Sequence, residues 1–186
     1  KAGVASLTAA LLTQGTADKS APEIATEIEQ LGATVGAGSG VDFSNVYANA
    51  PADVFPQAIA LMADLVRNPA FAGAELERQQ AQTLDGLRVA LSQPGTIASQ
   101  SVARVIYGGA PYGAPSSGTV NSIPAIDRGD VAAFHRAHYR PSGATLVFSG
   151  KITPAEARTL AQQAFGDWRN PADAAGIVAQ PAGTAL

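Results

Sequence analysis

A chain of 186 residues, 46% apolar and 15% charged, has the length and composition of one globular domain with a real core. It contains no cysteine, which excludes disulfides, thiolate metal sites and cysteine nucleophiles, and its net charge of -3 is scattered, with no basic stripe for nucleic acid. No apolar run approaches the ~18 residues that a membrane-spanning helix needs.

The first expected element is a helix over residues 3–14, burying Val4, Leu7 and Leu11 and closed by Gly15, since glycine is favoured just past a helix end. Ser6, Ala9 and Ala10 share one face of it, because positions three and four apart lie over one another. A second helix starts at Ser20, which forms a capping box with Glu23; Ile24, Ile28 and Leu31 mark its apolar face and Gly32 ends it. Residues 33–49 lose the helical period and carry Gly36, Gly38 and Gly40, which predicts two short strands turning around Ser39 and Gly40. Glycine weakens a strand but lets another backbone approach closely.

Three helical patterns follow. Val54, Ala58, Leu61, Met62 and Leu65 mark the first, ended by Asn68-Pro69; Leu76, Leu84, Leu87 and Leu91 mark the second, ended by Pro94. Ile97, Val102, Val105 and Ile106 mark the third, ended by Gly108-Gly109, and all three read as amphipathic. Residues 108–126 are too rich in Gly, Pro and Ser for regular structure and predict an ordered loop anchored by Tyr112, Val120 and Ile123. A short helix over 130–138 comes next, then ATLVFS at 144–149, the strongest strand pattern in the chain. Thr153, Pro154 and Glu156 open a last helix that stops at Gly166. Residues 171–186 carry no period and read as a linker or tail, which leaves 1–170 as the domain. Helices mixed with strand pairs, without strict βαβ alternation, make the chain α+β, an antiparallel sheet packed by helices.

Candidate chemistry is sparse. His135 and His138 are three apart on one expected helix but lack a third ligand, and Asp127 and Asp130 beside them serve as helix-start residues. Ser6 has no nucleophile elbow and no base partner, and the loop 113–118 has neither a Gly-x-x-x-x-Gly-Lys pattern nor a basic residue.

Three longer stretches carry a resemblance. PYGAPSSGTVNSI at 111–123 matches the pattern PYG-x-P-x-x-GT-x-x-SI, FHRAHYRPSGATLVFSGKI at 134–152 is similar to FY-x-x-YYRP-x-NATLVVVGD, and FGDW closes at 165–168. On these residues the chain resembles the pitrilysin or insulinase-like zinc peptidases of family M16, whose relatives include the mitochondrial processing peptidase and the respiratory-complex core proteins. The resemblance implies one half-domain of that fold, with its first strands missing from a fragment that opens at Lys1. In active members a His-x-x-Glu-His helix supplies two zinc ligands and the general base, and a glutamate on a later helix supplies the third ligand. Residues i, i+3 and i+4 share a helical face, and zinc keeps its fourth position for water.

Aligned through Gly15-Thr16, those three positions fall on Ser6, Ala9 and Ala10. ELERQQAQTLDGL at 75–87 resembles the family's E-x-ERE-x-VVLEEI helix and puts Gly86 at the third ligand, with Asp85 beside it and Gln79 where an accessory acid often sits. The resemblance therefore implies no catalytic residue and no zinc in this chain, with zinc expected only in an active partner half. It implies pairing with that half, as a separate subunit or within one long chain, to enclose a chamber that binds peptide substrate. The alternative is a purely structural, core-protein-like subunit with no role in proteolysis. The glycine-bearing edge at Gly36 and Gly38 is the expected contact for peptide or partner. The family favours a periplasmic over a cytoplasmic setting.

Overall fold

The computed structural model describes residues 1–171, so most of the expected tail, from residue 172 on, lies outside the described residues. Among the described residues, seven α-helices and two strands follow in order: α1 (Val4–Leu11), α2 (Ala21–Gln30), β1 (Thr34–Ser39), β2 (Ser44–Asn49), α3 (Phe55–Arg67), α4 (Gly73–Leu91), α5 (Pro94–Tyr107), α6 (Arg128–His138) and α7 (Pro154–Phe165).

Helix starts sit where local capping chemistry sets them. Glu23 accepts the backbone N–H of Ser20 at 2.8 Å, Asp127 and Asp130 exchange backbone N–H bonds at 2.8 and 2.9 Å, and Glu156 accepts that of Thr153 at 2.8 Å. Each box satisfies donors that a helix N-terminus otherwise leaves unpaired.

α1 is the hub. It packs on α4, α6 and both strands, and Leu7, Leu11 and Leu12 form the main core with Phe71, Leu76, Leu87, Ile123, Ile126 and Val131. A second cluster of Ile24, Leu61 and Leu65 ties α2 to α3. The strands pair antiparallel, with Val35 opposite Ala48, Gly36 opposite Tyr47, Ala37 opposite Val46 and Gly38 opposite Asn45. Because side chains alternate along a strand, Val35, Ala37 and Val46 face the helices and Gly36, Gly38, Asn45 and Tyr47 share the other, open face.

Three expectations need correction. ATLVFS at 144–149 belongs to no sheet; among the described residues the sheet has two strands. Strand propensity records a fit to a pleated surface, and a ladder also requires a partner. In the loop 108–126, Tyr112 is 48% and Val120 40% exposed, so the anchors are Ile123 and Ile126, both buried. Gln80 of α4 fixes them by donating from Nε2 to both their carbonyls at 2.8 Å. Finally, α5 buries none of its residues: Val102, Val105 and Ile106 lie on its surface despite their helical spacing.

Candidate functional site

The positions that the resemblance assigns to zinc and base lie on two helices in contact, α1 and α4. On α1, Ser6 is half-buried and donates its hydroxyl to the carbonyl of Ser116 at 2.9 Å, Ala9 is 1% exposed, and Ala10 is half-buried. On α4, Gly86 is exposed, with open space where a Cβ would stand. Its neighbour Asp85 is ion-paired with Arg88 at 2.8 Å out in solvent. A zinc site draws on at least three nitrogen, sulfur or carboxylate ligands. Two methyl groups, one hydroxyl and a glycine do not fit zinc, and among the described residues no three His, Asp or Glu side chains cluster in a way that could hold a metal ion.

The two histidines serve packing. His135 donates from Nε2 to the carbonyl of Val66 at 2.7 Å, meets Phe71 edge-on at 5.4 Å and stacks on Tyr139 at 5.0 Å. Burial pushes its pKa below the ordinary value, against the opposing pull of the Val66 carbonyl. His138 rests on Phe134 at 4.3 Å, and burial followed by the nearby Arg140 charge lowers its pKa too.

A depressed histidine pKa makes stability depend on pH. Below about pH 6.5 the unfolded chain takes up a proton that the folded chain still refuses, so the unfolded state binds more protons and stability falls as pH falls. The chain should therefore lose melting temperature between pH 7.5 and pH 5, and His135→Gln, which keeps a neutral donor, should shrink that slope. The lowered carboxylates Glu23, Asp130 and Glu156 act only at more acid pH. An unchanged slope in His135→Gln would assign the effect elsewhere.

The hairpin's open face holds the other candidate contact. A Cβ on Gly36 would stand 2.5 Å from the Tyr47 hydroxyl and 2.6 Å from its ring, whereas one on Gly38 would meet only Asn45 Oδ1 at 3.1 Å. Glycine at 36 thus makes room for an aromatic ring across the ladder. Sequence reasoning missed this because cross-strand register is not written in either strand alone. At the hairpin tip Asp42 accepts the Tyr112 hydroxyl at 2.5 Å, which joins the strands to the PYG loop and raises the Tyr112 pKa. In that loop Gly113 lies against the Gly108 carbonyl, which leaves no room for a Cβ.

The chain belongs to the insulinase family, peptidase family M16: residues 1–120 match its family model, and residues 125–185 match the model of the peptidase M16 inactive domain. It is 26% identical over 165 residues to an uncharacterized zinc protease of Mycobacterium leprae, covering 89% of this chain and 37% of that protein. To the beta subunit of the human mitochondrial-processing peptidase it is 25% identical over 154 residues, 83% of this chain and 32% of the other. The crystal structure of a peptidase M16 inactive domain from Pseudomonas fluorescens superposes with a TM-score of 0.88 at 31% identity, covering 97% of this chain and 44% of that one. This chain therefore spans well under half the length of the proteins it matches. Among its described residues no helix is long and apolar enough to cross a membrane.

Proposed function

We propose that the chain is a non-catalytic half of an M16-type zinc metallopeptidase. It pairs with an active His-x-x-Glu-His half, encloses a chamber with it, and helps to hold peptide there. The observation that carries this reading is the set Ser6, Ala9, Ala10 and Gly86, which offers no ligand and no base at the positions where the family's active members bind zinc. Gly36 and Gly38, on the open face of the hairpin, are the proposed contact with peptide or with the partner half. Gly38 is the residue to change, since a side chain there meets one flexible amide, while Gly36 is occupied by the Tyr47 ring.

Elemental analysis and peptide-cleavage assays of the purified chain test the proposal. The chain alone should carry no stoichiometric zinc and cut no peptide, and the assembly with its active half should lose cleavage when this chain is left out. One zinc per chain, lost in Asp85→Asn, would overturn the reading. Full cleavage by the active half alone would instead make this a purely structural subunit.

A further inference from the structure

The hairpin tip and the PYG loop meet at one exposed point, and none of the side chains there belongs to either core cluster. Val41, Asp42 and Phe43 form the tip, closed where the Gly40 N–H donates to the Phe43 carbonyl at 2.8 Å. Val41 is half-exposed and Phe43 is 69% exposed. Across 70 positions of sequence, the Tyr112 hydroxyl donates to Asp42 Oδ1 at 2.5 Å. The Tyr112 ring in turn lies 5.5 Å from that of Tyr107, tilted by 41°, and both rings are about half-exposed.

The two rings are fixed through their backbone. Gly108 and Ala110 donate their N–H groups to the Arg104 and Tyr107 carbonyls, each at 2.9 Å, and Gly113 donates to the Ala110 carbonyl at 2.9 Å. Arg104, the basic residue in the last turn of α5, donates from Nη1 to the Gly108 carbonyl at 2.7 Å. Several other acids of this chain are tied into helix caps, as Glu23 and Glu156 are, or into ion pairs, as Glu27, Glu75 and Asp85 are with Lys19, Arg78 and Arg88. Asp42 differs from these. Among the described residues its partner is a neutral phenol and it forms no ion pair, so its charge stands uncompensated beside two aromatic rings.

That combination selects for a cation. The face of an aromatic ring is the negative end of its quadrupole and attracts a cation within about 6 Å of the centroid. A phenol that donates its proton to a carboxylate gains electron density in the ring, and the carboxylate adds its own attraction. An anionic group would be repelled, and an apolar one would cover the carboxylate without pairing it. A calcium ion takes roughly six to eight oxygen ligands, which one carboxylate does not supply. Arginine suits the place best, because its planar, weakly hydrated guanidinium stacks on aromatic faces while its apolar stem lies along surface such as Val41 and Phe43.

We propose that Asp42, Tyr107 and Tyr112 form a site for an arginine side chain of the bound peptide. This names the substrate chemistry of the peptide-holding role proposed above, and rests on that reading.

NMR titration of the 186-residue chain tests it. The probe is a five-residue alanine peptide, blocked at both ends, with one central arginine; the control carries citrulline, the neutral isostere, in its place. The arginine peptide should shift the ring signals of Tyr107 and Tyr112 saturably and bind about 10-fold more tightly than the control, the combined effect of one exposed cation–π contact and one exposed ion pair. Asp42→Asn removes the charge but keeps an acceptor for the Tyr112 hydroxyl, and Tyr107→Leu removes one ring but leaves that hydrogen bond. Each should weaken arginine binding by roughly 3–5-fold, leave citrulline binding unchanged and keep the parent melting temperature. Equal affinity for the two peptides, or parental arginine affinity in either variant, would overturn the proposal. Shifts confined to the amides of Gly36 and Gly38 would place the peptide on the strand edge and overturn it as well. Zinc content and cleavage by the assembly are read separately: they decide whether this chain is a non-catalytic half, and the arginine contrast decides what it holds.

Discussion

Gly118→Val should destabilise the fold by about 4 kcal/mol and lower its melting temperature by roughly 10 °C, at 2–4 °C per kcal/mol for a chain of this size. Gly118 sits at φ 83°, a conformation that β-branched residues rarely adopt. A Cβ there would stand 2.6 Å from Cδ1 of the buried Ile123, and 3.1 Å from both the Ala2 carbonyl and the Gly3 Cα. Gly3, at φ 89°, mirrors it: its own Cβ would stand 2.6 Å from the same Ile123 atom and 3.0 Å from the Gly118 Cα. Two glycine backbones therefore meet over one core side chain, and that contact docks the PYG-containing loop on the start of α1. Neither backbone strain nor overlap can relax without moving Ile123. Gly86→Ala is the control. It lies in a helix interior with open space at its Cβ, and should stabilise by roughly 0.5–1 kcal/mol through helix propensity. Thermal unfolding of both variants decides the matter; a loss under about 3 °C for Gly118→Val would show that the loop repacks freely.

The parts of this fold that were legible in the sequence are those fixed within a few residues. The capping pairs Ser20 with Glu23 and Thr153 with Glu156, the loss of helical period at Ala33 and the stop at Asn68-Pro69 all act over one turn of chain, and the elements start and end accordingly. What escaped depends on partners distant in sequence. Phe71 adopts φ 46° in the core, with its carbonyl accepting Arg128 Nε at 2.8 Å, and neither residue announces the other. Gln80 reads as one more polar helical residue until two carbonyls converge on it. α5 shows the opposite failure, since spacing specifies an apolar face but not whether anything covers it. The zinc-site positions were legible only through the family resemblance. Alanine and glycine carry no chemistry of their own, so no inspection of residues 6, 9, 10 and 86 in isolation could have singled them out.

Ala9→Glu, the change that would restore the base position on α1, should be the most damaging of the substitutions that rebuild the His-x-x-Glu-His pattern. Ala9 is 1% exposed, on the helix that packs against α4, α6 and both strands. Burying a carboxylate at a position this enclosed would cost on the order of 3–5 kcal/mol. The penalty has a sign in pH. Burial raises the folded-state pKa of the introduced carboxyl above its unfolded value of about 4.3, so over the window between them the folded chain holds a proton that the unfolded chain has released. The folded state then binds more protons, and stability is lost as pH rises through that window. Relative to the parent chain, the deficit in melting temperature should be small near pH 4.5 and large at pH 7.5, the reverse of the slope expected from His135. Ser6→His should be milder, because Ser6 is half-buried and the loss is mainly one hydrogen bond to the Ser116 carbonyl, about 1 kcal/mol. A deficit for Ala9→Glu that does not change with pH would mean the new carboxylate reaches water, and that this face of α1 opens onto a cavity able to solvate it. With the deficit as described, α1 resists becoming a zinc helix through its packing, before the missing ligand at Gly86 is ever tested.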